Sequence, residues 1–147
     1  MNITAISLWE PWASLIRYGS KTVETRGWST NFRGPLLICA AKRWSKEQYE
    51  YLHSVPVQNR LWRATGRTPT EATDMLFGKA VAVANLVDVA STDSNEYADL
   101  FGEQGHFGNF GPGRFGWVLK DIVAIRPFTV RGSQGLFRVE LPVGVFA

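Results

Sequence analysis

One cysteine, Cys39, and two histidines, His53 and His106, are all that the chain offers of the usual metal-binding and redox side chains. A single cysteine rules out an internal disulfide, and histidines this far apart leave no zinc spacing, so neither a metal nor a cofactor is expected. The same scarcity makes a reduced, cytoplasmic setting the expectation. Long apolar runs are missing too, since nothing approaches the roughly 18 residues of a membrane span, so no membrane partner is expected. The opening "MNITAISLWEPW" has neither a basic segment nor an apolar one of the export type, so no processed leader is expected. With no repeat, no low-complexity tract and no linker between two compositions, residues 1–147 read as one domain. A chain of that length buries roughly 70% of its extended surface and needs no staple.

Charge of both signs is present but unevenly placed. Through Arg67 the chain carries ten cations against four acids, and beyond it six against nine. If the halves keep to separate faces, the basic one suits a polyanion such as RNA or DNA; if they fold together, the charges intermix. The apolar share of 45% is too high for disorder and ordinary for a folded globule.

Local patterns give the elements. In "ISLWEPWASLIRYGSK", Pro11 suits the first helical position after a short strand, Trp12, Leu15 and Ile16 recur at helical spacing, and Gly19 suits a left-handed stop. "KTVETR" alternates as a strand with Thr22, Glu24 and Arg26 on one face and Val23 and Thr25 on the other. "RGPLLICAA" is too continuously apolar for a half-exposed strand. Ser45 as cap with Gln48 three residues on, and Trp44 stapled to Tyr49, predict a helix from about Lys46 to His53. The polar, basic stretch Val57 to Phe77 reads as a long, partly ordered excursion. "KAVAVANLVDVAS" is a strand with small residues on one face, Asp93 and Glu96 open a short helix through about Phe101, and "RFGWVLKDIVAIRPF" and "GLFRVELP" complete the sheet. At least five strands with short helices and no regular β-α-β alternation give an α+β class, a mixed sheet or small barrel.

Three stretches could carry chemistry. "GPGRFG" satisfies G-x-G-x-x-G, but it opens an aromatic and β-branched run rather than a helix, which excludes a dinucleotide site. The glycines around it do interleave Phe101, Phe107, Phe110, Phe115 and Trp117. Phe115 and Trp117 belong to a strand interior, while Phe107 and Phe110 either stack a base or plug one end of the fold. Cys39, within "LLICAA", is expected to be a buried, inert thiol, and His106 a surface residue without a carboxylate partner. The acids Asp88, Asp93, Glu96, Asp99 and Glu103 are most simply a solvated surface that can lend one carboxylate to a cationic site. The third stretch is "GSKTVETRGW". Residues two apart on a strand sit about 6.6 to 6.8 Å apart on one face, so Glu24 and Arg26 can touch, and Lys21 can fold over the same patch. Spacing alone leaves two readings open, a surface ion pair or a lysine and carboxylate that handle a proton beside a phosphate-gripping arginine.

The order of these elements resembles the ASCH domain family. Its pattern is matched by Pro11 to Ile16 ("PWASLI"), Gly19 to Arg26 ("GSKTVETR"), Trp28 to Thr30, Arg33 with Gly34, and Leu36 to Lys42, and it resumes in "GNFGPGRFGWVL", Gly108 to Leu119. The resemblance implies a single PUA-like domain over 1–147, a small mixed β-barrel of five to six strands with two to four short helices. It also implies a cleft between the first helix, the Lys21–Arg26 strand and the glycine-rich loop that takes RNA or a modified nucleoside, with DNA as a further possibility. On this chain Lys21, Glu24, Arg26, Arg33 and Lys42 would line it, with Arg114 of the second signature and with Trp12, Trp28 and Phe110 as walls. Some members of the family resemble amidohydrolases acting on N4-acetylcytidine through a lysine, a threonine and a glutamate; others look like ribonucleases or interaction modules, and any hydrolysis by this chain is expected to be metal-independent. Lys21 matches the lysine, but Glu24 stands where those hydrolases carry threonine. Thr22 is then the expected substitute, because Thr25 should face away, and the distal acid is to be sought among Asp88, Asp93 and Glu96. The catalytic set expected, if there is catalysis, is Lys21, Glu24 and Thr22.

Overall fold

The computed structural model describes residues 1–146. Along the chain run β1 (Asn2–Leu8), α1 (Trp12–Arg17), β2 (Val23–Arg26), β3 (Gly34–Ala40), α2 (Lys46–Leu52), α3 (Val55–Thr65), β4 (Lys79–Ser91), α4 (Ala98–Glu103), β5 (Phe115–Thr129) and β6 (Phe137–Glu140). Single 3₁₀ turns cover Ala72–Asp74 and Gly105–Phe107.

Six strands form one mixed sheet in the order β2-β5-β4-β3-β1-β6, with β1 and β3 parallel and every other pair antiparallel. Among the described residues no ladder joins β2 to β6, so the sheet is open, and the closed barrel implied by the resemblance is not formed. Both edge strands are only four residues long, and the outer side of β2 is met by the loop before β5 rather than by another strand. The long central pair, β4 and β5, shifts register at three points, and such bulges bend and twist a sheet.

Both faces of the sheet are covered. On one side Ile6, Leu36, Ile38, Val81, Ala84 and Leu86 pack under Ala13 and Ile16 of α1; on the other Ile3, Ala5, Leu37, Cys39 and Ile125 pack with Leu141 and Val145. This explains why Leu36 to Ala40 is buried without alternation, since a strand apolar on both faces needs two apolar layers. Leu15 of α1 joins Leu52 of α2, Val57 and Leu61 of α3, and Phe107 in a third cluster, which ties the helices to the turn before β5.

Several local expectations are corrected. Val55–Thr65 is a helix, not an excursion: Pro56 occupies its first turn, Gly66 ends it at φ +71°, and it buries only Val57 and Leu61, too few for a readable period. Helix α4 starts at Ala98, later than the Asp93–Glu96 start predicted, because Asp93 accepts bonds from Gly113 N instead of capping. Pro11 sits at the cap position of α1 rather than inside it. Ser45 does cap α2, accepting from Gln48 N, but Trp44 packs on Phe77 and Tyr49 stays exposed, so the expected staple is absent. Gln48 donates instead to the carbonyls of Glu10 and Arg43.

Two groups tie α1 to the rest of the fold. The Glu10 carboxylate is fully buried and accepts from Ser14 N, Ser14 Oγ and Leu76 N, with burial pushing its pKa up. Arg17 donates to the carbonyls of Val81 and Ile125. Gly116 of β5 lies under Phe101, and a Cβ there would stand 2.3 Å from Phe101 Cζ. Gly116→Ala should therefore cost about 1 to 3 kcal/mol by overpacking. Denaturant unfolding of the single variant and of Gly116→Ala with Phe101→Leu checks this, and the smaller ring partner should restore most of the loss.

Candidate functional site

The left-handed turn at Gly19 (φ +81°) reverses the chain after α1, and the amides of Ser20 and Lys21 return to Leu15 O. This aims the Lys21 side chain inward, beneath β2. It is completely buried: Nζ donates to Val23 O at 2.8 Å and to Phe107 O at 2.5 Å, and it forms an ion pair with Glu24 Oε1 at 3.2 Å. Lys21 thus takes a carbonyl on strand β2, one on the glycine-rich loop, and the Glu24 carboxylate. Burial lowers its pKa, and the Glu24 charge opposes that shift.

Glu24 is the bridge. Its Oε2 stands 3.1 Å from Arg26 Nε, while Arg26 Nη2 donates to Ser7 O at 2.7 Å. The carboxylate is thereby held between two cations, with its side chain 13% exposed to the hollow above. Arg26 Nε makes the ion pair without a well-angled hydrogen bond and is otherwise unpartnered, as is Ser7 Oγ beside it.

That hollow is a cleft of about 610 Å³, in the size range of small-molecule sites. Its walls are aromatic. Trp12 lies parallel to Tyr51, with ring centroids 4.5 Å apart, and Trp28 stands edge-on to the buried Trp117. The Tyr51 hydroxyl donates to His106 O, and burial raises its pKa. Thr25, Gly108, Asn109 and Arg114 close the remaining side. Thr25 Oγ1 accepts from Asn109 N, Arg114 donates to Asn109 O and Thr25 O, and Gly108 fits closely here, since a Cβ would sit 3.0 Å from Thr25 Oγ1.

The cleft brings together Lys21, Glu24, Arg26, Trp12, Trp28 and Arg114 of the residues expected from sequence. It does not include the others. Thr22 donates its amide to Gln104 Oε1 and lines no part of the hollow, whereas Thr25 does. The reason is that the cleft wraps the free edge of β2, so face alternation does not decide which side chain reaches it. Arg33 donates to the carbonyls of Thr30 and Phe32 and stands 3.6 Å from Asp88. Lys42 lines a neighbouring hollow. Phe110 packs on Phe101, and Phe107 is buried among Leu15, Leu52 and Leu61, so both rings plug the fold.

No distal acid reaches the cleft either. Asp88 accepts from the Tyr97 hydroxyl, which holds its carboxyl below the usual range, Asp93 holds Gly113 N, and Glu96 is solvent-exposed. Cys39 is buried, its thiol pushed up to about 12. His106, read as a surface residue, is exposed on the cleft rim. Tyr51, Asn109 and Ser7 were not readable as site residues, because each belongs to an element brought in by tertiary packing.

Among the described residues no group of three or more His, Cys, Asp or Glu side chains could hold a metal ion, and no helix is long and apolar enough to cross a membrane. Fold and site together define an α+β domain whose open mixed sheet carries a charged, aromatic-walled cleft at the free edge of a strand. The chain belongs to the ASCH domain family, which it matches over residues 6–122. It is similar in structure to the ASCH protein of Zymomonas mobilis, at 18% identity and a TM-score of 0.55 over 93% of this chain and 87% of that one. Crystal structures of two variants of that protein are similar too. A tyrosine-to-phenylalanine variant is 17% identical with a TM-score of 0.51, over 93% of this chain and 89% of that one. A serine-to-alanine variant is 17% identical with a TM-score of 0.52, over 93% and 87%. At such identities the likeness speaks to fold alone. No curated protein matches the chain.

The lowered Lys21 pKa has a thermodynamic consequence. The unfolded chain holds that proton up to about pH 10.4, the folded one releases it earlier, so between the two values the unfolded state binds more protons and stability rises with pH. This contribution is present above the unfolded value and lost as pH falls through the folded one. With pH rising towards the unfolded value, unfolding free energies should rise more steeply in the wild type than in Lys21→Met. Amide exchange over residues 105–114 should also speed up in the variant, which loses the bond to Phe107 O.

Proposed function

We propose that the cleft binds a nucleobase carrying an exocyclic amine, presented by RNA or by a modified pyrimidine nucleoside. The observation that carries this reading is the Glu24 carboxylate, fixed between Lys21 and Arg26 and facing a hollow walled by Trp12, Tyr51 and Trp28. A carboxylate there accepts from an amine, and flat aromatic walls suit a flat ring, with stacking worth about 1 to 3 kcal/mol per base. Arg26 and Arg114 keep the surroundings cationic, which suits the sugar-phosphate side of the same ligand. Membership of the ASCH family points the same way.

A second reading, metal-independent hydrolysis of an acylated exocyclic amine such as that of N4-acetylcytidine, is favoured by one observation. A buried lysine of lowered pKa beside a carboxylate is a common mark of catalytic sites. In that reading Glu24 takes the proton of the attacking water and passes it to the departing amine, and Lys21, anchored on the Val23 and Phe107 carbonyls, holds Glu24 in place. Release of acetate and cytidine from N4-acetylcytidine in the presence of EDTA, abolished in Lys21→Met, would establish it. No release would leave the domain as a binding module.

Binding is tested by titrating cytidine and a short single-stranded RNA into the wild type, Glu24→Gln and Trp12→Ala. Both variants should weaken binding about tenfold or more, with unfolding midpoints measured alongside. RNA affinity should fall as salt rises. Wild-type affinity in both variants would refute the assignment of the cleft.

A further inference from the structure

A second hollow, of about 840 Å³, adjoins the first. The two share Ser7, Trp9, Arg26 and Trp28, so whatever fills one meets the other across these side chains. The second hollow is bounded by the turn after β3, by Gly78 at the foot of β4 and by the loop Arg131–Gly135 after β5.

Its chemistry differs from that of its neighbour. The first cleft has a carboxylate on its floor; the second has Arg26, Lys42 and Arg131 in its lining and no acid. Arg26 is engaged by Glu24 and Ser7, but Lys42 and Arg131 are exposed and, among the described residues, neither has a carboxylate within 4.0 Å. Two unneutralised cations around an acid-free hollow suit a singly charged anion such as a phosphodiester. On the shared ridge Trp9 is 44% exposed and backed by the Arg43 guanidinium, 4.3 Å from its ring centroid, and Trp28 is 38% exposed. Exposed indoles beside a phosphate site suit the base of a neighbouring nucleotide. Gly132 and Gly135 let a backbone pass close to the loop.

We infer that this second hollow holds the phosphodiester and flanking nucleotide of a single-stranded RNA whose target base lies in the first cleft, Lys42 and Arg131 gripping the phosphate. The ligand class is then an oligonucleotide rather than a free nucleoside. This rests on the nucleobase reading of the first cleft.

Calorimetric titration of cytidine and of the trinucleotide ApCpA, which has a phosphodiester on each side of its cytidine, tests it in the wild type and in the double variant Lys42→Met, Arg131→Gln. Methionine keeps the aliphatic stem that covers Gly78, where a Cβ would lie 2.9 Å from Lys42 Cε, and Arg131 is at the surface. An unchanged unfolding midpoint verifies the fold. The wild type should bind ApCpA about tenfold or more tighter than cytidine. The double variant should keep cytidine affinity, lose that advantage, and show a salt slope shallower by about 0.7 per phosphate no longer held. A trinucleotide that gains nothing over cytidine, or a double variant that keeps the gain, overturns this inference while the first-cleft reading stands. Failure of cytidine and ApCpA alike in the wild type overturns both. Displacement of ApCpA by oligoglutamate as readily as by oligouridylate would overturn it in favour of an acidic protein partner.

Discussion

An ammonium that never meets solvent holds this domain's cleft together. Lys21 Nζ links the edge strand β2, the loop that carries Phe107 and the Glu24 carboxylate. Moving an ammonium out of water costs several kcal/mol, and here two carbonyl hydrogen bonds and the Glu24 ion pair oppose that cost. The buried ion pair is therefore weak evidence for stability and better evidence for position: it fixes where one carboxylate stands. The turn at Gly19, the short β2 and the glycine at 108 serve that placement, the last by letting the loop close on Thr25.

The uneven charge along the chain has a structural resolution. Of the basic first half, Arg17 is engaged by two backbone carbonyls, Lys21 is buried, Arg26 holds Glu24 and Ser7, and Arg33 faces Asp88. Arg67 pairs with Asp74 from the acidic half. These cations build the fold and the cleft rather than a continuous polyanion-binding face. Beside the second hollow one residue from each half, Lys42 and Arg131, meets the same space.

Much of the sheet was legible because β3, β4 and β5 are long or continuously apolar, and strand spacing put Glu24 and Arg26 within reach of each other, whereas the burial of Lys21, which precedes β2, was not readable from it. Helix α3 was not, since two buried side chains carry no periodic signal and only Pro56 and Gly66 mark its ends. The choice between Thr22 and Thr25 went the wrong way because Thr22 precedes β2, while Thr25 faces the loop that closes the cleft. Arg33 and Lys42 belong to the matched motif, yet their positions depend on where Asp88 and Gly78 fall in the folded chain, which local pattern does not encode. The open sheet also depends on what meets the outer edge of β2, a contact between residues more than eighty positions apart.

The central claim is that Glu24, steadied by Lys21 and Arg26, meets the amine edge of a base between the aromatic walls. A crystal structure of the protein soaked with cytidine tests it most directly. The account predicts a ring between Trp12 and Trp28 with its exocyclic amine within hydrogen-bonding distance of the Glu24 carboxylate. Cytidine bound elsewhere on the protein, or seated in the cleft with that amine turned away from Glu24, would contradict it.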